Sequence, residues 1–88
     1  MSKPFAYKGH TYTFERQAEF YTIRRDDGLV AWDVFATAFG VTAYKPAFPS
    51  VAECKDALMG KKTPTYYNRL VFAASSSEAK IAWERDHA

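Results

Sequence analysis

The chain has 88 residues and a net charge of +2, and apolar residues make up 48% and charged residues 25% of it. These values are typical of one globular domain, and they exclude a polybasic tail, an acidic mimic of nucleic acid and a disordered chain. No apolar run is long enough to cross a membrane and no signal peptide is visible, so a single cytoplasmic domain over residues 1–88 is expected.

The first segment, residues 5–14, is rich in aromatic and β-branched side chains and contains one glycine. This composition predicts a strand, or a tight hairpin that turns at Lys8 and Gly9. Residues 15–18 are polar, and we expect them to form a connection.

The strongest local signal is the Asp27-Gly28 pair, which lies between two apolar runs. An Asp-Gly pair in this position predicts a two-residue type I′ hairpin turn, because such a turn needs a positive φ at both of its central residues. The turn would pair Arg25 with Val30 and Ile23 with Trp32. That register places the apolar side chains of both strands on one face of the hairpin.

Residues 36–49 are unusually apolar for a loop, although they contain Gly40 and Pro46. They either extend the hairpin strand or form a loop that covers the core. If the segment is exposed, it is a candidate protein-binding surface, because clustered aromatic side chains dominate binding energy at protein interfaces. The candidate residues are Phe39, Val41, Tyr44 and Phe48.

Two helices are predicted from two Ser-x-x-Glu capping boxes, at residues 50–53 and 75–78. The first helix should cover residues 51–59 and end at Gly60, and the second should cover about residues 76–86. Between them, the aromatic and β-branched content of residues 65–73 favours a strand. A helix that begins at Thr63 is the alternative for this segment.

Together these elements predict an α+β fold in the order β-β-β-α-β-α. A three- to four-stranded, largely antiparallel sheet would be packed on one face by the two short helices. The predicted core consists of Tyr21, Ile23, Val30, Trp32, Val34, Cys54, Leu58, Leu70, Phe72, Ala79 and Trp83.

Common catalytic and cofactor motifs are absent from the sequence. The two histidines, His10 and His87, are far apart, and the glycines are isolated, so no zinc spacing and no phosphate-binding loop can be assembled. The only cysteine, Cys54, falls inside the first helix and is expected to be a buried, unreactive thiol. We therefore expect a protein with no catalytic activity, cofactor or metal.

Residues 45–69 carry an excess of basic over acidic side chains and contain two adjacent tyrosines. Basic groups beside aromatic rings can bind phosphates and stack on bases, so a nucleic-acid-binding module is the alternative function. Its candidate residues are Arg24, Lys61, Lys62, Tyr66, Tyr67 and Arg69.

The strings at residues 7–13 (YKGHTYT) and 48–55 (FPSVAECK) resemble small accessory domains encoded by phages and prophages. In those domains an aromatic-glycine strand leads into a hairpin and then into a capped helix. The resemblance implies a compact protein that binds a host protein or complex, including inhibitors of host defence such as anti-CRISPR proteins, and it carries over no functional residues. An exposed edge strand would also allow a homodimer.

Overall fold

The computed structural model describes residues 3–66 and 69–87, and it has six strands and two helices within them. The elements are β1 Phe5–Tyr7, β2 His10–Gln17, β3 Phe20–Arg25, β4 Val30–Thr37, β5 Gly40–Tyr44, α1 Val51–Leu58, β6 Leu70–Ala73 and α2 Ser76–Asp86. The predicted α+β class with an antiparallel sheet is confirmed. The predicted three to four strands and the order β-β-β-α-β-α are wrong, because the turn at Lys8 and Gly9 divides the first segment into two strands and β5 follows β4 before α1.

Strands β1, β2 and β3 form an antiparallel meander. Lys8 and Gly9 have φ angles of 47° and 84°, which makes their turn the predicted tight hairpin. The predicted polar connection at residues 15–18 is wrong, because β2 continues to Gln17, which pairs with Phe20. Residues 15–18 are mostly exposed. Backbone hydrogen bonds hold this part of β2 in the sheet, so its side chains do not have to be apolar.

The turn between β3 and β4 differs from the predicted type I′ turn. The Gly28 N–H donates to the Arg25 carbonyl at 2.9 Å, the Arg25 N–H donates to the Leu29 carbonyl at 2.7 Å, and only Gly28 in this turn has a positive φ. This is a three-residue loop that ends in a left-handed glycine. The Asp27 carboxylate stabilises it by accepting from the Leu29 N–H at 3.1 Å. As a result Arg24, not Arg25, pairs with Val30, and the predicted register is wrong by one residue.

Strand β4 is the centre of the sheet. Its Asp33 pairs with Tyr44 of β5 and also with Leu70 of β6, so β5 and β6 lie along opposite edges of β4. Its Val30 pairs with both Arg24 and Ala73, so β3 shares an edge of β4 with β5.

Residues 36–49 combine both predicted alternatives, since they extend the sheet and also cover the core. β4 continues to Thr37, and β5 follows after a two-residue turn. The chain then returns to β3, where Phe48 and Tyr21 exchange two backbone hydrogen bonds of 2.7 and 2.9 Å. This return pairs the Phe48 backbone with the edge of β3 and buries the Phe48 side chain.

Both helices begin at the predicted N-caps. The Ser50 Oγ accepts from the Glu53 N–H, and the Ser75 Oγ accepts from the Glu78 N–H, each at 3.2 Å. The strand predicted within residues 65–73 is confirmed over its last part, Leu70–Ala73, and the helical alternative is wrong there.

The core has two clusters, which lie on opposite faces of β4. The first contains Ala31 of β4 and is covered by α1, and the second contains Val34 and is covered by α2. The prediction that both helices pack on one face is therefore wrong. β4 carries apolar side chains on both of its faces, and a strand of this kind needs a cover on each side.

The predicted core is confirmed in part. Its buried members are Ile23, Val30, Val34, Cys54 and Ala79. The others are partly buried at the margins of the clusters: Tyr21, Trp32, Leu58, Leu70, Phe72 and Trp83. Four buried aromatic side chains are absent from the predicted core: Tyr12, Phe14, Phe48 and Tyr66.

Cys54 is a buried, free cysteine in the first cluster. Burial raises the pKa of its thiol to about 12, because the thiolate would lose its hydration. We expect a thiol-specific aromatic disulfide reagent to leave native Cys54 unmodified near pH 8 and to modify it completely after denaturation. Rapid modification of the native protein would contradict a buried thiol.

Candidate protein-binding surface

The turn between β4 and β5 presents Phe39 to solvent. Thr37 pairs with Gly40 across this turn. The Thr37 hydroxyl donates to the Gly40 carbonyl at 2.9 Å, and it accepts from the Phe39 N–H at 3.2 Å. The Phe39 side chain is 101% exposed. A large apolar side chain is thus held outside the fold on a turn whose backbone is fixed by hydrogen bonds.

A second aromatic pair lies on one face of the same hairpin. Phe35 pairs with Thr42, and Asp33 pairs with Tyr44, so Phe35 and Tyr44 are diagonal neighbours on that face. Their ring centroids are 5.9 Å apart, and Tyr44 is 62% exposed. The pair forms an aromatic area that no described helix covers.

Arg69, which precedes β6, completes this area. Its Nη2 donates to Asp33 Oδ2 at 3.0 Å, and its Nε lies 2.9 Å from Asp33 Oδ1, within ion-pair distance but without hydrogen-bond geometry. The guanidinium also lies 4.4 Å from the Phe35 ring centroid. We call these five residues, Asp33, Phe35, Phe39, Tyr44 and Arg69, the hairpin surface.

Of the candidate partner-binding residues, Phe39 and Tyr44 are exposed and Phe48 is buried. Phe48 is 0% exposed, and its ring meets the buried Tyr66 edge-on at a centroid distance of 6.1 Å. The Phe48 backbone pairs with Tyr21 at the edge of β3 and its side chain fills the first cluster, so it is not accessible to a partner. Val41 is partly buried against the second cluster, under α2.

The predicted nucleic-acid residues do not form one surface. Stacking on a base requires an exposed ring, but Tyr66 is 1% exposed, and burial raises the pKa of its phenol, as does the nearby negative charge of Asp33. Arg24 lies on the α2 face of the sheet and is ion-paired with Glu15 at 3.0 Å. Arg69 is paired with Asp33, whose side chain lies on the opposite face, the one that α1 covers.

The remaining nucleic-acid candidates give little further support. Lys61 and Lys62 are exposed beyond the end of α1. Tyr67 lies outside the described residues. The two predicted arginines, Arg24 and Arg69, each have a carboxylate partner that largely compensates their positive charge, so Lys61 and Lys62 are the candidate cations that remain.

Sequence reasoning missed Phe35 and Asp33 as members of a surface. Neither residue was among the predicted partner-binding residues, which were all taken from residues 36–49. The available signal was their spacing, since residues two apart on a strand share a face. Arg69 is far away in sequence, and only the pairing of β6 with β4 brings it to Asp33.

Other chemistry is sparse among residues 3–66 and 69–87. They contain no cluster of three His, Cys, Asp or Glu side chains that could hold a metal ion. They also contain no helix with the length and apolarity of a membrane span. The His10 ring lies 3.1 Å from the Asp26 carboxylate, which also accepts from the Thr11 N–H. These hydrogen bonds lower the pKa of Asp26, and they tie the β3–β4 turn to β2.

No protein-family model, no curated protein and no solved structure matches this chain. Function therefore has to be inferred from the chemistry of the hairpin surface. That surface contains aromatic rings and an arginine, the residue types that are enriched at the energetic centres of protein interfaces.

Proposed function

We propose that this chain is a non-catalytic binding protein that engages a protein partner through the hairpin surface. The observation that supports this most strongly is the complete exposure of Phe39 at the end of a hydrogen-bonded turn. Contact between an apolar side chain and water is unfavourable, so burial of the Phe39 ring in an apolar pocket of a partner would lower the free energy.

The neighbouring groups fit the edge of such an interface. Tyr44 offers a ring and a hydroxyl, so it can pack against apolar atoms and still donate a hydrogen bond. Arg69 is already paired with Asp33, which fixes its position and reduces the conformational entropy that would be lost on binding. The resemblance to phage accessory domains makes a host protein the expected partner, and this stays a prediction.

The nucleic-acid alternative has less support from these positions. A phosphate-binding surface needs cations that are free to neutralise phosphates, and it needs exposed rings on which bases can stack. Both predicted arginines have carboxylate partners and Tyr66 is buried. A partner that binds through Phe39 and Tyr44 would instead be held by apolar contacts, which added salt weakens little.

The proposal is tested with Phe39→Ser and Tyr44→Ser, which change exposed side chains without opening the core. A tagged chain is used to capture proteins from a nuclease-treated lysate of its native host, and the captured protein is then purified for affinity measurements. We expect each substitution to weaken binding by about 2 kcal/mol, or roughly 30-fold, as at an interface hot spot.

The matched control is Phe20→Ser. Phe20 is 46% exposed beside another hairpin turn, but it lies on the opposite face of the sheet from Tyr44. This variant should bind as tightly as the unchanged chain. Equal losses of affinity in all three variants would indicate nonspecific apolar adhesion and would refute the proposal. A second capture is made from lysate that has not been treated with nuclease. Recovery of nucleic acid in that capture would favour the alternative function and would also refute the proposal.

A further inference from the structure

Strand β6 has a free outer edge within the described part of the chain. The Val34 N–H donates to the Arg69 carbonyl at 3.3 Å, and Val71 and Ala73 pair with Trp32 and Val30. Because the direction of backbone polar groups alternates along a strand, Leu70 and Phe72 direct their N–H and C=O groups away from β4. No described strand pairs with these groups.

Helix α2 packs across the sheet against β4, β5 and β6, and a groove of about 290 Å³ lies between α2, β6 and Leu29, which precedes β4. Phe72 and Ala73 line it from β6, and Glu78, Ile81, Ala82 and Arg85 line it from α2. Ile81 is 61% exposed there. Glu78 accepts a hydrogen bond from the Ala74 N–H at 3.3 Å, so its carboxylate is held at the edge of β6.

We propose that this face is a dimer interface, in which two copies of the chain pair through the outer edges of β6 and the groove sides of α2. An antiparallel pair centred on Val71 sets Leu70 opposite Phe72 of the second copy. The outward N–H and C=O groups of these two residues then form four backbone hydrogen bonds across the two-fold axis.

The side chains of α2 favour a second copy over an unrelated partner. Glu78, Ile81, Ala82 and Arg85 follow one another at intervals of three and one residues, so they form a single stripe along the helix. The stripe has an acid at one end, apolar groups in the middle and a base at the other end. A two-fold axis reverses the stripe, so that Glu78 meets Arg85 of the second copy and the apolar groups meet each other.

The strand is also poorly protected against self-association. Natural edge strands are commonly blocked by lysine, proline or a bulge, and β6 has the apolar sequence Leu-Val-Phe-Ala. The proposed interface includes neither Phe39 nor Tyr44, so substitutions at those two positions test partner binding without changing the dimer contacts.

Sedimentation equilibrium over a range of protein concentrations tests the proposal. We expect the unchanged chain to approach twice its mass of 10.0 kDa as the concentration rises. Arg85→Glu places like charges together at both ends of the interface and should raise the dimer dissociation constant by at least about tenfold. The double variant Glu78→Arg/Arg85→Glu restores opposite charges and should recover most of the association.

The matched control is Glu84→Arg, which changes a charge on α2 outside the groove and should leave the dissociation constant unchanged. Ile81→Lys, at an exposed position in the middle of the stripe, gives an independent test if Arg85→Glu perturbs folding, which circular dichroism will show. A chain that stays monomeric up to millimolar concentration overturns the proposal. So does a dimer that neither Arg85→Glu nor Ile81→Lys weakens.

Discussion

Phe48→Ala should lower the free energy of unfolding by about 3–5 kcal/mol, the usual range for deletion of a buried phenylalanine ring. Phe48 is 0% exposed, and its ring packs against Tyr66 in the first cluster. Its backbone pairs with Tyr21 where β3 has separated from β4, so the ring and the strand pairing depend on the same segment. Urea unfolding followed by circular dichroism would measure the change.

Phe39→Ala is the matched control for this prediction, because it removes the same ring from the same apolar segment. Phe39 is fully exposed, so its loss should change the unfolding free energy by no more than about 0.5 kcal/mol. Similar losses for the two variants would contradict the placement of Phe48 in the core and of Phe39 outside it.

Trp32→Ala should lower the free energy of unfolding by about 3 kcal/mol. This is near the lower end of the usual range for deletion of a large aromatic side chain, because Trp32 is only partly buried. The indole packs against the second cluster, and its Nε1–H donates to the Ala73 carbonyl at 3.0 Å. Trp32→Phe keeps most of the apolar contact and loses the hydrogen bond, so it should cost about 1 kcal/mol. Equilibrium unfolding of both variants separates the two contributions.

A double-mutant cycle with Ile23→Ala tests the observed register against the register predicted from sequence. The sequence-based register places Ile23 directly opposite Trp32, and neighbours of this kind couple when both are removed. In the structure, Ile23 belongs to the first cluster and Trp32 packs on the second, across the sheet. We expect the two losses to add to within about 0.5 kcal/mol, and a larger coupling would favour the sequence-based register.

Local features of the fold were predictable because their causes are local. Each Ser-x-x-Glu box satisfies backbone N–H groups within one helical turn, so Ser50 and Ser75 mark the helix starts without any tertiary contact. The hairpin at Lys8 and Gly9 is predictable for the same reason, because its conformation depends on two residues.

The candidate site was only half predictable. Phe39 and Tyr44 stood out as apolar residues in a segment that could have been exposed, but the same argument selected Phe48, which is buried. Composition does not distinguish these cases, because a phenylalanine near a turn is equally suited to covering a core and to contacting a partner. The Asp33–Arg69 pair joins residues 36 positions apart, and no local pattern connects them.

What the amino-acid sequence determined by itself is the set of elements that depend on short-range hydrogen bonds and on alternation: the caps, the Lys8-Gly9 turn and the apolar strands. Tertiary structure decided the β3–β4 register, in which Asp27 stabilises a three-residue loop and shifts the pairing by one residue. It also decided that α1 and α2 cover opposite faces of β4 and that Phe48 turns inward. Those outcomes depend on which apolar side chains are buried against one another, and these side chains come from elements that are far apart in the sequence.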